Sequence, residues 1–164
     1  MKRDTFVILH NIRSAHNVGS VFRTADGAGV TKIYLTGYTP TPIDRFGRVV
    51  SEIAKTSLGA TESMLWEYEE DISIVIKKLH EDGVEVIAVE QSETSIPYDT
   101  YKTKASRAYI FGNEVDGVPK EVCTEADAVV EIPMMGEKES LNVSVSAGVI
   151  LYQDLRQKEP SSPA

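Results

Sequence analysis

The chain has 164 residues, of which 41% are hydrophobic and 26% charged, as expected for a single globular domain. Its net charge of −8 at pH 7 argues against a generic nucleic-acid binder, because such proteins are usually basic. No apolar run approaches the roughly 20 residues that span a bilayer, and the run at 6–9 is too short for a signal peptide. Cys123 is the only cysteine, which excludes an internal disulfide. We therefore expect a cytoplasmic protein with no membrane segment.

The first predicted elements are a strand at 5–9, a helix and a second strand at 32–35. Apolar residues recur every three or four positions after Asn17, which predicts an amphipathic helix with Asn17 as its N-cap. Gly27 and Gly29 would end that helix. The later elements follow the same reasoning. They are a loop at 37–50, a short helix at 51–57, an edge strand at 64–68, a helix at 71–80, a strand at 84–89, a polar loop at 91–104, a strand at 108–111, a helix at 119–123, a strand at 129–132 and a final helix at 142–156.

Strands alternate with helices through the whole chain, which predicts an α/β fold with a mainly parallel sheet and helices on both faces. The strand at 84–89 is almost entirely apolar, as expected for a strand buried on both faces. No linker or internal repeat divides the sequence. We expect one domain at 1–157 and a flexible C-terminal tail at 158–164.

The region from 111 to 153 brings several functional residue types to the ends of predicted strands. The strand at 108–111 stops at Gly112 and is followed by an acidic pair, Glu114 and Asp116. The last strand stops at Pro133, and a loop then leads into the final helix. Open α/β sheets bind ligands beyond the carboxyl ends of their strands. We therefore expect the ligand site at this edge.

Arg23 lies on a helix whose other side chains are mostly small or apolar. An arginine in such a setting is costly unless it has an ionic partner or binds an anion. It could pair with a carboxylate such as Glu114, or it could bind phosphate or substrate. Glu114 could equally serve as a helix cap or brace a loop.

Other motifs are not supported. The glycines at 27 and 29 follow a helix and precede a strand, the reverse of a dinucleotide fingerprint. His10, His16 and His80 are scattered and have no ligand spacing, so we expect no metal site. The serines lack a G-x-S-x-G frame, which argues against a hydrolase nucleophile.

Three ordered blocks resemble the motifs of the SpoU/TrmH family of RNA 2′-O-ribose methyltransferases, within the SPOUT superfamily. The blocks are NVGSVFRTADGAG at 17–29, IFGNEVDGVP at 110–119, and IPM at 132–134 followed by ESLNVSVSA at 139–147. The resemblance covers about 5–156. It implies that the C-terminal part of the chain forms a deep trefoil knot, that S-adenosylmethionine binds in the knot, and that the protein is a homodimer with active sites at the subunit interface.

The resemblance also implies residue roles. The positions matching the family's functional residues are Asn17, Arg23, Glu114, Ser140 and Asn142. The positions expected to bind the cofactor are Val89, Glu90, Gly112, Ile132, Met134 and Leu141. Arginine is a poor base because its pKa exceeds about 12. We therefore favour Arg23 as a phosphate anchor that stabilises the developing alkoxide, while a role as proton acceptor stays open.

The expected substrate is tRNA or rRNA, although we expect neither an N-terminal RNA-binding domain nor long basic extensions of the kind that many members of the family carry. The first 55 residues carry eight Lys/Arg and four Asp/Glu, so a positive face is compatible with the acidic total. Besides Arg23, the cations expected to contact RNA are Arg13, Arg45, Arg48 and Lys55. A helper protein could supply further contacts.

Two other functions remain open. One is a non-catalytic RNA- or protein-binding module that retains the fold. The other, weaker alternative is a generic α/β nucleotide-binding domain, which would bind a mononucleotide or dinucleotide instead of S-adenosylmethionine.

Overall fold

A computed structural model describes residues 2–103 and 105–158 of the chain. Seven strands form one sheet, and every strand pair in it is parallel. The strands are β1 (Thr5–His10), β2 (Lys32–Thr36), β3 (Leu65–Glu69), β4 (Glu85–Val89), β5 (Ile96–Pro97), β6 (Arg107–Phe111) and β7 (Ala128–Glu131). The helices are α1 (Ala15–Gly27), α2 (Ser51–Ser57), α3 (Ala60–Ser63), α4 (Ile72–Glu81), α5 (Lys120–Glu125) and α6 (Val143–Lys158). The predicted α/β architecture is confirmed.

The spatial order of the strands is β3-β2-β1-β6-β4-β7-β5, which makes β3 an edge strand as predicted. The sheet has a hydrophobic core on each face, and alternate residues of the central strands pack into one core or the other. In β1, Val7 and Leu9 pack with α1, α2, α3 and α6, while Ile8 packs with α4 and α5 on the other face. In β4, Ile87 faces the first core and Val86 the second, so the prediction of burial on both faces is confirmed.

Some boundaries differ from the sequence prediction. The N-cap of α1 is Ser14, because its hydroxyl accepts a bond from the Asn17 amide at 3.1 Å; the assignment of Asn17 as N-cap was wrong. The segment predicted as loop at 91–104 contains the two-residue strand β5, and α3 was not anticipated. The final helix continues to Lys158, so the predicted tail begins inside α6, and 159–164 lie outside the described residues.

A buried ionic cluster holds the C-terminal part of α6 against the sheet. Arg107 is fully buried, and its Nε donates to Asp154, which is itself 2% exposed. Tyr109 and Thr5 donate to the same carboxylate at 2.9 and 2.7 Å. Burial, together with the charge of Asp154, raises the pKa of the Tyr109 hydroxyl well above its ordinary value, so Tyr109 remains a donor. The Asp154 side chain thereby joins the adjacent strands β1 and β6 to α6.

No helix in the described part of the chain is both long and apolar enough to cross a membrane.

Candidate active site

A cavity of about 430 Å³ opens beyond the carboxyl ends of β4, β6 and β7. This volume lies within the range of small-molecule sites. All six residues predicted to bind the cofactor line it, and so do Glu114, Ser140 and Asn142. The structure thus brings the motif residues at 89–90, 112–114 and 132–142 to one place.

The charge of this cavity is one-sided. Four carboxylates lie in its wall, on Glu90, Glu114, Asp116 and Glu131, whereas no lysine or arginine does among the described residues. Such a wall favours a cationic or zwitterionic ligand and disfavours a phosphate.

Glu114 connects the loop after β6 to the start of α1. Its carboxylate accepts bonds from the amides of Arg13 and Ser14, at 3.0 and 3.2 Å, and from Asn17 Nδ2 at 3.2 Å. Burial raises the pKa of this carboxyl, but the amide of Arg13 and the neighbouring donors outweigh it and hold the pKa below its ordinary value. Of the alternatives open from the sequence, the structure favours a brace at the beginning of a helix.

Asn17 and Asn142 continue the same network. Asn17 is buried on α1, and its Oδ1 accepts a bond from Asn142 Nδ2 at 3.3 Å. Asn142 Oδ1 accepts from the amide of Ser144 at 2.8 Å, as an N-cap does for α6. A continuous chain of bonds therefore runs from Glu114 through Asn17 to the start of α6. It fixes the relative position of two cavity walls.

Gly112 is required by the chain's own backbone. A Cβ added there would lie 2.4 Å from the carbonyl carbon of Gly117 and 2.4 Å from the amide nitrogen of Val118. The loop after β6 folds back at this point, and Asn113 pairs with Gly117 in an antiparallel bridge. The loop would have to move to admit any other side chain.

Glu90 and Gln91 hold the remaining loops around the cavity. Glu90 Oε2 accepts a bond from the amide of Val118 at 2.8 Å, which secures the far end of the β6 loop. Gln91 Nε2 donates to the carbonyl of Glu139 at 2.6 Å and so ties the loop after β4 to the loop before α6. Gln91 was not predicted from the sequence, where a polar residue in a polar loop gives no signal.

Arg23 lies outside this cavity. It is exposed in a groove between α1, α2 and α6 that shares no lining residue with the cavity. Asn17 and Arg23 are six residues apart, which places them about 120° apart around the α1 axis. Arg23 has no ion pair within the described residues, so the suggested pair with Glu114 is wrong.

The Arg23 groove also holds residues that the sequence did not single out. His16 is seven residues before Arg23 and therefore on the same face of α1, and it lines the groove together with Lys55, Thr56 and Tyr152. The i, i+7 spacing of His16 and Arg23 was the available signal. Lys55 is thus the one other predicted RNA-binding cation that lies beside Arg23.

The remaining predicted RNA-binding cations lie apart from that groove. Arg13 is exposed in the loop that Glu114 braces. Arg45 and Arg48 both lie against the ring of Phe46, with guanidinium carbons 4.8 and 4.9 Å from its centroid.

Comparisons with known proteins agree with the family resemblance of the three sequence blocks. The model of the SpoU rRNA Methylase family matches residues 4–152. The chain is 33% identical to the 23S rRNA (guanosine-2′-O-)-methyltransferase RlmB of Neisseria meningitidis over 93% of its own length and 58% of that protein. It is 31% identical to the tRNA (guanosine(18)-2′-O)-methyltransferase of Aquifex aeolicus, covering 96% of the chain and 72% of that protein.

A solved structure agrees with these matches. The AdoMet-bound rRNA methyltransferase of Sinorhizobium meliloti superposes with a TM-score of 0.85 at 26% identity, covering 98% of this chain and 59% of the other. The chain therefore spans little more than half the length of two of these three relatives. Because the family model matches nearly the whole chain, the protein belongs to the SpoU rRNA methylase family.

Proposed function

We propose that this protein is an S-adenosylmethionine-dependent methyltransferase that acts on a ribose 2′-hydroxyl of tRNA or rRNA. The observation that carries the proposal is the acidic cavity at the strand ends, lined by every residue predicted to bind the cofactor. S-adenosylmethionine, when bound, supplies a methyl group on a positively charged sulfur. A wall of four carboxylates suits that charge.

The same charge disfavours the alternative of a generic nucleotide-binding domain. A nucleotide phosphate would face Glu90, Glu114, Asp116 and Glu131, with no cation among the described residues of the wall to offset them. The non-catalytic alternative is disfavoured because a simple binding module has no need of the bonded set formed by Glu114, Asn17 and Asn142.

The roles of the site residues follow from their positions. Glu114, Asn17 and Asn142 orient the cavity walls, and Gly112 permits the loop that forms one of them. Leu141, Ile132 and Met134 offer apolar surface for the adenosine. Ser140 is exposed at the cavity rim and makes no side-chain hydrogen bond to the described residues, so its hydroxyl is available to a ligand.

Arg23 would bind the phosphate beside the target ribose and stabilise the oxygen as it loses its proton. Methyl transfer to an oxygen is in-line displacement at carbon, and positioning the nucleophile supplies much of its acceleration. Arg23 has the fixed planar donors that suit this task. The proton would leave to water or to a neighbouring base in the same groove.

A homodimer would bring the two parts together. Within one chain, Arg23 and the cavity occupy separate depressions with no common residue. The groove carries exposed apolar surface, with Leu58 65% and Tyr152 49% exposed, as an interface between subunits would. We infer that Arg23 of one subunit acts at the cavity of the other.

The remaining expectations stand as parts of this proposal. The segment through β6, β7 and α6 would form a deep trefoil knot, as the resemblance to the SPOUT superfamily implies. The protein would act in the cytoplasm, where its RNA substrates are. Because the chain is acidic, it would hold RNA through the dimer surface or with a helper protein.

The test is transfer of a labelled methyl group from S-adenosylmethionine to RNA isolated from cells that lack this protein, followed by nucleoside analysis. Label in a 2′-O-methylnucleoside is the expected result. Label in a base, or no label from a protein that binds the cofactor, would contradict the proposal.

A further inference from the structure

A short hairpin in the loop between β2 and α2 is built to present one aromatic ring to solvent. Ile43 and Val49 form an antiparallel bridge at its base. Between them, the side chain of Asp44 accepts bonds from the amides of Phe46 and Arg48, both at 2.9 Å, and from Arg48 Nε at 3.0 Å. These bonds hold the tip in one conformation, so its side chains are positioned before any partner arrives.

The ring at the tip is Phe46, which is 66% exposed. The guanidinium carbons of Arg45 and Arg48 lie 4.8 and 4.9 Å from its centroid. Arg48 is held there by Asp44, whereas Arg45 has no ion pair within the described residues. Arg45 can therefore leave the ring and meet a phosphate when another planar group takes its place.

The loop that carries the hairpin connects to both surfaces that the proposed function uses. Five residues before the hairpin, Tyr38 accepts a bond from Asn113 Nδ2 at 2.7 Å, and Asn113 lines the cavity. At its end, the chain enters α2, whose Lys55 and Thr56 line the Arg23 groove. The hairpin is thus connected on one side to the cavity that would bind the cofactor and on the other to the groove that would bind the phosphate of the target.

We propose that Phe46, with Arg45 and Arg48, is a stacking platform for an unpaired base of the RNA substrate, next to the methylated nucleotide. An exposed aromatic ring with adjacent guanidinium groups binds single-stranded RNA by stacking on bases while the cations contact phosphates. The two guanidinium groups favour an anionic partner, and the exposed ring favours RNA over an acidic protein surface because a base can stack on it. This inference rests on the proposed function, since it names how the substrate is held and predicts that the target is unpaired.

The test places a fluorescent reporter at the tip. The double variant Phe46→Trp, Trp66→Phe moves the chain's only tryptophan to position 46. A 15-nucleotide unstructured RNA of mixed sequence is titrated into it, and the same RNA is then titrated as a duplex with its complement. Stacking predicts quenching by the single strand and not by the duplex. No quenching by the single strand, or equal quenching by both, would overturn the inference.

A second set of variants measures the energetic effect. Phe46→Leu should weaken binding of the single-stranded RNA about 10- to 100-fold, while Phe46→Trp should retain it and cofactor affinity should not change. The control is Ile74→Ala, which trims a similarly exposed apolar side chain on α4, 54% exposed, and should bind RNA like the wild type.

Wild-type RNA affinity in Phe46→Leu would overturn the inference. A change in the mass of the Phe46→Leu dimer without a change in its RNA affinity would also overturn it, because the ring would then belong to a contact between proteins. Failure of the proposed function has a different signature. In that case the RNA would still quench the tryptophan introduced at the hairpin tip, but no RNA would accept methyl label.

Discussion

Replacement of Glu114 tests whether the bonded chain from Glu114 to Asn142 holds the site together. Glu114→Ala removes the acceptor for two backbone amides and for Asn17 Nδ2. Hydrogen bonds to a charged group contribute about 1.5–3 kcal/mol each when buried, but this carboxylate is partly exposed and water replaces some of the loss. We expect the free energy of unfolding to fall by about 2–4 kcal/mol for Glu114→Ala. Glu114→Gln keeps an acceptor oxygen and should cost about half as much.

The effect of replacing Glu114 on the free energy of unfolding should depend on pH in a definite direction. The folded state holds the pKa of Glu114 below its ordinary value of 4.5. A carboxyl of this kind contributes stability above its unfolded pKa and loses that contribution as the pH falls through the lower folded pKa. The difference in unfolding free energy between wild type and Glu114→Gln should therefore be full at neutral pH and should shrink below pH 4.5.

Urea unfolding followed by circular dichroism from pH 7 to about pH 3, at one fixed protein concentration, measures this difference through the range in which the Glu114 carboxyl becomes protonated. Asp116→Asn is the matched control, because it removes the same charge from the same loop and its carboxylate receives no hydrogen bond from the described residues. An equal effect of Asp116→Asn, or a Glu114→Gln difference that stays constant with pH, would refute the assignment.

Three further variants test other parts of the structure. Gly112→Ala forces a Cβ against the backbone of the loop after β6. It should weaken S-adenosylmethionine binding at least about tenfold in calorimetry and lower the free energy of unfolding by about 1–3 kcal/mol. Unchanged cofactor affinity would contradict the assignment of this loop to the cofactor site. Arg23→Ala should lower kcat for methyl transfer at least about 100-fold with cofactor affinity unchanged, whereas lost cofactor binding would exclude its proposed role. Asp154→Ala leaves the fully buried Arg107 without its carboxylate and should cost about 3–5 kcal/mol in urea unfolding; a loss below about 1 kcal/mol would contradict the importance of this cluster.

Much of the sheet could be predicted because its strands carry continuous apolar runs separated by helices with clear periodicity. The strand at Glu85–Val89 and the helix at Ile72–Glu81 are examples. The short strand Ile96–Pro97 could not be predicted, because its pairing with β7 is supplied by the sheet and not by local propensity. The same holds for the contact of Arg107 with Asp154, which are 47 residues apart.

For the site, the sequence indicated which residues belong together but not how they are arranged. The strand ends at Val89, Phe111 and Glu131 do meet at one cavity, as the topology rule predicts. The sequence did not indicate which groups bond to the Glu114 carboxylate, because this depends on how the loop after β6 packs against α1. Ser14, and not Asn17, caps α1, and this leaves the Asn17 side chain available to Glu114 and Asn142. Periodicity around α1 also indicates that Asn17 and Arg23 face different directions, although the motif contains both.

The division of one active site between two subunits, together with the chemistry assigned to it, can be measured in a mixed dimer. Arg23→Ala and Gly112→Ala chains would be coexpressed with different affinity tags, and the heterodimer would be purified through both tags. Its transfer of labelled methyl groups to RNA would then be measured as 2′-O-methylnucleoside. With S-adenosylmethionine held below its wild-type Kd, each parent dimer should keep no more than about a tenth of the wild-type activity, whereas the heterodimer keeps one intact cavity facing one intact Arg23 and should show about half of the wild-type activity. A heterodimer as inactive as its parents would contradict the shared site.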